Sequence, residues 1–160
     1  MSGNLIRIVI SLVLVAVTTF LGYWLVLDER KHSQAIAYNE SGNVLSELKR
    51  YDEAIEHYQQ AIKIKSNFAE AYNNLANAMR QKGKIKESIA YYNEAIRFKS
   101  DYAEAHFNLG VALGRQSRSK EAIVQYRQAL QIKPDFAWAH NNLAILLGQR
   151  GDFVGAISHY

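Results

Sequence analysis

The chain is written in two hydropathy regimes. Residues 8–27 (IVISLVLVAVTTFLGYWLVL) carry no charge and are apolar on every side of a helix drawn through them. From Ala35 onward the pattern changes to apolar residues three or four apart with polar residues between, the spacing of amphipathic helices. Ala71, Leu75, Ala78 and Met79 fall on one face of a first helix, and Ile85, Ile89, Tyr92, Ala95 and Ile96 on one face of a second. Gly83 stands between them, where a residue in the left-handed conformation ends a helix at little cost. The unit so described is a helical hairpin.

The hairpin recurs. AEAYNNLANAMRQKGKIKESIAYYNEAIRFK at 69–99 returns as AEAHFNLGVALGRQSRSKEAIVQYRQALQIK at 103–133, and a period of 34 residues gives rows that begin at Ala35, Ala69, Ala103 and Ala137. Tyr58, Tyr92, Tyr126 and Tyr160 share a column, as do Ile55, Ile89, Ile123 and Ile157. Three columns are small or nearly so: Ala37, Ala71, Ala105, Ala139; Ala54, Ser88, Ala122, Ala156; and Ala61, Ala95, Ala129. Small columns mean close helix approach, and bulky ones fill the space beside it. Gly151 matches Gly83, but Lys49 and Ser117 stand at that place in the other two rows, so those turns are expected to be less favourable. The joints Lys65-Ser66-Asn67-Phe68, Lys99-Ser100-Asp101-Tyr102 and Lys133-Pro134-Asp135-Phe136 carry turn and helix-start chemistry, and the closing aromatic is expected to pack between repeats.

A 34-residue helix–turn–helix unit that opens A-E-A-x-x-N-L-[AG] and continues [DKS]-[EG]-[AS]-I-x-x-Y resembles the tetratricopeptide repeat, over nearly the whole chain outside the apolar run. The first row departs from it with Ser41 where the others have Leu75, Leu109 and Leu143, and Ser66 and Ser100 replace the usual proline. The resemblance implies an all-α fold, an α-solenoid of hairpins wound as a right-handed superhelix, whose first helices line a concave groove that holds a peptide or protein segment. The expected organisation is a tail at 1–7, the apolar segment at 8–27, a juxtamembrane linker at 28–34 and a repeat domain at 35–160, with repeats 35–68, 69–102, 103–136 and an incomplete 137–160. A solenoid needs a polar cap on its terminal face, and none follows the last row; a partner covering that face, or a longer reading frame, would each supply one.

Twenty helical residues span about 30 Å, the hydrocarbon thickness of a bilayer. Ser11, Thr18 and Thr19 can bond back to helix carbonyls, and Tyr23 and Trp24 suit the interface. The run is longer than a signal-peptide core, and its nearest small-x-small site, Ser33-Gln34-Ala35, lies beyond four charged residues. The expectation is an uncleaved single-pass anchor; a cleaved signal peptide, releasing a soluble exported repeat protein, is the alternative. Arg30 and Lys31 against Arg7 lean toward placing the repeats on the cytoplasmic side.

Charge and composition narrow the chemistry. There is no cysteine, hence no disulfide, thiolate metal site or cysteine nucleophile. The formal charge of +4 comes from short, alternating runs, which reads as solvated helix faces and not as a nucleic-acid surface. No H-E-x-x-H, G-x-S-x-G, P-loop or G-x-G-x-x-G is present. His106 and His140 share a column with Tyr38 and Tyr72, which argues for packing. Glu53, Glu87 and Glu121 share a surface column and read as solvated or turn-stabilising carboxylates. The chain is therefore expected to be no enzyme, with no cofactor, no metal and no small-molecule substrate.

Asparagine is the unusual residue. Asn74, Asn108 and Asn142 recur at the repeat period, Asn39, Asn73 and Asn141 occupy the preceding column, and Asn43 and Asn77 follow one helical turn later. Asparagine is a poor helix former, so a ladder of it needs a reason. Its amide can pair with the N–H and C=O of an extended backbone. The column resembles the asparagine ladder of O-linked N-acetylglucosamine transferases, which grips substrate peptides; bonding between adjacent helices explains it equally well. Arg80 and Arg115 add a preference for acidic segments, or are plain surface charges. A chaperone-type carboxylate clamp is not met, because Asn39 or Asn73 stands where the family places lysine. The expected groove is thus Asn74, Asn108, Asn142, Asn73, Asn77, Asn141, Arg80 and Arg115, in a membrane-tethered scaffold for a partner protein or peptide, such as an assembly factor. The alternative is an accessory repeat region preceding a glycosyltransferase- or kinase-like enzyme.

Overall fold

A computed structural model describes the backbone of residues 2–158; Tyr160 of the tyrosine column and His159 lie outside the described residues. Among the described residues all regular structure is helical: α1 (Ser2–Glu47), α2 (Tyr51–Ile64), α3 (Ala69–Gln81), α4 (Ile85–Phe98), α5 (Ala103–Arg115), α6 (Ser119–Ile132), α7 (Ala137–Gln149) and α8 (Phe153–Ile157). Successive helices pair as hairpins, α1 with α2, α3 with α4, α5 with α6 and α7 with α8, and each hairpin packs on the next. First helices also touch along the stack, α1 with α3 and α3 with α5.

The four hairpin turns close identically. The amides of Arg50, Lys84, Arg118 and Asp152 bond back to the carbonyls of Leu45, Met79, Leu113 and Leu147 at 2.9, 2.9, 3.0 and 3.0 Å. This is the six-to-one bond of a helix end with one left-handed residue. That residue is Gly83 (φ 77°) and Gly151 (φ 81°) in two turns, but Lys49 (φ 60°) and Ser117 (φ 59°) in the others. The two residues that break the glycine column thus pay the Cβ penalty of the left-handed region.

The joints between hairpins differ from expectation in one respect. Phe68 and Phe136 donate to the carbonyls of Lys65 and Lys133 at 3.2 Å, so the turn is present. Yet α3, α5 and α7 begin after Phe68, Tyr102 and Phe136, and no side chain caps them. Asn67, Asp101 and Asp135 sit one residue too early to serve. The aromatic closes the joint instead. Phe68 is buried with Ala35, Ala61 and Ala71, Phe136 packs on Phe107 at 5.0 Å, and Lys65, Lys99 and Lys133 lie over the three rings at 4.9, 4.8 and 5.2 Å.

The core is continuous along the stack and made of the columns read from the sequence. Ala54, Ala61, Ala71, Ala78, Ala95, Ala105, Ala122, Ala129 and Ala139 have no exposed surface, and Tyr58, Tyr92 and Tyr126 are buried beside them. Gly42 and Gly110 matter here, since a Cβ on either would come within 2.6 Å of Tyr58 or Tyr126. In the first row Ala37 and Ser41 are exposed, because no earlier hairpin covers that face. Ser41 in place of leucine suits a face that meets water.

The long apolar run and the first repeat are one helix. Residues 28–34, expected as a linker, are helical throughout. DERKHSQ contains no glycine or proline, and Glu, Arg, Lys and Gln are good helix formers, so nothing stops α1 before Ala35. Thr18 and Thr19 bond to Val15 O at 2.9 and 3.0 Å, as expected of hydroxyls in an apolar helix. Within the described residues, Ile10–Glu47 contains a window of mean hydropathy 2.2, none of it buried; this helix is long and apolar enough to cross a membrane.

Relieving the left-handed strain should stabilise the stack. Lys49→Gly and Ser117→Gly each remove a penalty of about 1–2 kcal/mol and add a backbone-entropy cost somewhat below 1 kcal/mol. The expected net gain is roughly 0.5–1 kcal/mol per site, measured as a rise in Tm for the full chain.

Candidate peptide-binding groove

First helices build the site. Asn43, Ser46 and Glu47 of α1, Asn74, Asn77, Arg80 and Gln81 of α3, and Asn108 of α5 line a groove of 580 Å³, with Tyr51 and Tyr58 of α2 entering from behind. Four of the expected residues, Asn74, Asn77, Asn108 and Arg80, meet here. Asn73 is buried just beneath, while Asn142, Asn141 and Arg115 are not among the lining residues of this cavity.

The asparagines are ordered by one another. Asn108 Nδ2 donates to Asn73 Oδ1 at 3.1 Å, and Asn73 Nδ2 to Asn74 Oδ1 at 3.3 Å. Asn74 Nδ2 then donates to Asn39 Oδ1 at 3.2 Å and Asn43 Oδ1 at 3.0 Å. The rule is that a ladder asparagine bonds to the preceding-column asparagine one repeat earlier. This is the inter-helix role, and it consumes both ends of the Asn74 amide. The rule fails at Asn142, because the earlier repeat has Phe107 where an amide would receive it. Asn142 turns to the Tyr126 hydroxyl at 3.5 Å, so the continuous ladder has two rungs, not three.

Tyrosine hydroxyls form the groove floor, a feature sequence reasoning missed. Tyr58 OH donates to Asn43 Oδ1 at 2.9 Å and Tyr92 OH to Asn77 Oδ1 at 2.6 Å, each across its own hairpin. The signal was available: both tyrosines follow their asparagine by 15 residues. The third row has Val111 in the asparagine's place, which frees Tyr126 for Asn142. Burial raises the Tyr58 and Tyr102 hydroxyls to about 12, and raises Tyr92 and Tyr126 as well.

The histidine and glutamate columns behave as structural parts. His106 Nε2 lies 3.2 Å from Ser100 O and its Nδ1 2.8 Å from Gln125; His140 Nε2 lies 2.8 Å from Pro134 O. Both rings tie a first helix to the joint before it. Glu53 and Glu121 accept from Arg50 and Arg118 at 2.6 and 2.7 Å, exposed pairs at helix starts. Among the described residues no group of three or more His, Asp or Glu is placed to hold a metal ion.

The comparisons with known proteins agree with this architecture. The family described as TPR repeat matches residues 42–83, 76–117 and 115–151. The chain belongs to the tetratricopeptide-repeat family. The crystal structure of MamA superposes with a TM-score of 0.74 at 22% identity, covering 79% of this chain and 74% of that one. The first TPR of Spaghetti (RPAP3), bound to the HSP90 peptide SRMEEVD, gives 0.72 at 24%, covering 74% of this chain and 94% of that one. The OM64 TPR domain of Arabidopsis gives 0.72 at 24%, covering 74% and 98%. These likenesses show the fold. No curated protein matches the chain in sequence.

The tyrosine shifts predict alkaline sensitivity. A hydroxyl whose pKa is raised in the folded state holds its proton more firmly there than when unfolded. Its stabilising contribution is complete below the ordinary value of about 10 and is lost as pH rises from about 10 toward 12. Tm measured across that window should fall, and Tyr58→Phe should flatten the decline.

Proposed function

We propose that the chain is a single-pass membrane protein whose repeats capture a segment of a partner protein in the groove of α1, α3 and α5. The observation that carries this is the groove itself, an open polar channel with amide and guanidinium groups along its wall. The peptide-bound state of the Spaghetti repeat supports it by analogy of fold. The contacts assigned to the partner are Asn77 and Arg80, with the Asn108 carbonyl oxygen, to which no hydrogen-bond donor is assigned among the described residues. Asn73 and Asn74 act by holding that wall in place. Asn141, Asn142 and Arg115 extend the contact surface toward the fourth hairpin. No catalytic step belongs to this reading, and an assembly role at a membrane fits it.

Anchoring rests on the exposed apolar side chains of α1. Leu12, Val13, Leu14, Val15, Phe20 and Leu21 are each more than half exposed, a surface that water does not tolerate over such a length. A bilayer covers all of them at once. Exposed Arg30 and Lys31 then flank the span on the side of the repeats, which favours a cytoplasmic solenoid. Because α1 is unbroken, Asn43 stands about 24 Å beyond Leu27 along one helix, at 1.5 Å per residue. The groove wall is the continuation of the anchor, so the captured segment is presented close to the membrane.

A second reading, an accessory repeat region of a larger enzyme, draws on a different surface. Trp138, Phe153, Val154 and Ile157 on the last hairpin are 67–83% exposed. A further folded element packed there would cover them.

Capture by the full chain in detergent should depend on the groove. Asn77→Ala combined with Asn108→Ala should abolish recovery of the partner seen with the unaltered chain, while circular dichroism stays the same. Equal recovery by both chains would place binding elsewhere.

A further inference from the structure

One side of α1 is left without a neighbour. Beyond Gln34, α2 and α3 pack on two of its sides, and Asn43 and Glu47 face the groove. The remaining side carries Ala37, Ser41 and Val44, with Leu48 just past the helix end, its amide still bonded to Val44 O at 3.1 Å. All four are exposed. In the next row the same places hold Ala71, Leu75 and Ala78, which are sealed against the first hairpin. Leu48 departs from the repeat in the opposite direction, since later rows have Lys82, Gln116 and Arg150 there. The first row thus adds an apolar group to a face that no hairpin covers.

The face continues down the rod. Ala37, Ser41, Val44 and Leu48 are spaced alternately four and three apart, and the same alternation reaches back through Val13, Ala16, Phe20, Tyr23 and Leu27. This is the seam of a coiled coil sustained over five heptads. Val13, Phe20, Tyr23, Val44 and Leu48 are each more than half exposed. Arg30 and Gln34 interrupt the seam just outside the apolar run. A long cationic side chain can lift its charge into water there, and one polar seam position fixes register at some cost in stability. Ala37 and Ser41 line a hollow of 280 Å³ with Gln34, Tyr38 and His57, room for a side chain from a facing helix.

We propose that this seam pairs α1 with α1 of a second copy, as a parallel two-stranded coil that runs from the apolar segment into the first hairpin. The parallel arrangement rests on the single-pass reading above. Copies inserted alike lie at the same depth, so each seam position meets its own counterpart across a two-fold axis along the membrane normal. From Val13 to Leu48 the rod is about 53 Å long and about 10–12 Å across. A strip of that size is roughly 550 Å² per copy and roughly 1,100 Å² in all, enough for a specific interface. The stretch beyond Gln34 alone supplies only about a third of it, so pairing uses the whole rod. A straight helix drifts about 20° per heptad from the seam, and the two rods therefore wind left-handed about each other. Asn43 and Glu47 lie roughly 90–130° around the helix from the seam, at 100° per residue. Both grooves stay open, side by side at one height, and a partner with two segments is held with avidity.

The test uses the full chain in phosphatidylcholine liposomes. It has no cysteine of its own, so single cysteines report cleanly under mild oxidation. Ala37→Cys and Val44→Cys should give disulfide-linked dimers, and Glu47→Cys on the groove side should not. With the Ala37→Cys reporter, Leu48→Glu should lower the dimer yield about tenfold and Arg30→Leu should raise it, with unchanged circular dichroism because both side chains are exposed. Flotation of the same liposomes reads anchoring separately. Equal yields at all three positions from a chain that floats would overturn the seam and leave anchoring standing. Dimers formed only when Val44→Cys and Trp138→Cys chains are mixed would overturn it in favour of head-to-tail stacking on the last hairpin. A chain that does not float yet crosslinks at 37 and 44 would support the pairing and overturn its membrane basis, and one that does neither would overturn both.

Discussion

The repeat region depends on one close approach, a tyrosine ring from the second helix of a hairpin laid against a residue with almost no side chain on the first. At Gly42 and Gly110 even a Cβ would collide with the ring. At Ala76 the methyl is accommodated and fully enclosed beside Tyr92. This contact draws the two helices together, and interiors packed at crystal-like density transmit it to the neighbouring hairpin. It also fixes where the hydroxyl ends. The ring passes beneath the first helix and delivers a polar group to the base of the groove, next to an asparagine of its own hairpin. Core and groove are consequences of the same placement.

Much of this was legible in the sequence because repetition converts weak signals into columns. One tyrosine at helical spacing says little, whereas a column of them opposite a column of Gly and Ala specifies a hairpin. The left-handed turns at Lys49 and Ser117 were legible for the same reason, since Gly83 and Gly151 mark what the turn needs. Two things were hidden. A repeat pattern shows along a row or down a column, but the groove is held by diagonal bonds, from Asn108 to Asn73 and from Asn74 to Asn39. The failure at Asn142 follows from Phe107, a residue in another column of another row. The unbroken α1 was hidden too, because a burst of charge between an apolar run and a repeat looks like a boundary. Charged residues with good helix propensity do not end a helix without a stop signal.

Continuity of α1 has a mechanical meaning. A flexible linker would let the solenoid sample many orientations, while a single helix passes the tilt of the apolar segment directly to the first hairpin. The α2 helix and the joint at Phe68 brace it from the other side. Under the proposed membrane anchoring, the groove is defined in a membrane frame as well as a protein frame, which suits the holding of a segment that belongs to another protein at the same surface.

The most direct measurement is photo-crosslinking in cells from a benzoylphenylalanine placed at Asn77, inside the groove, compared with one at exposed Asn93 on α4. The account predicts a discrete crosslinked product from position 77, and none from position 93. The same product from both positions, or from 93 alone, would contradict capture in the groove.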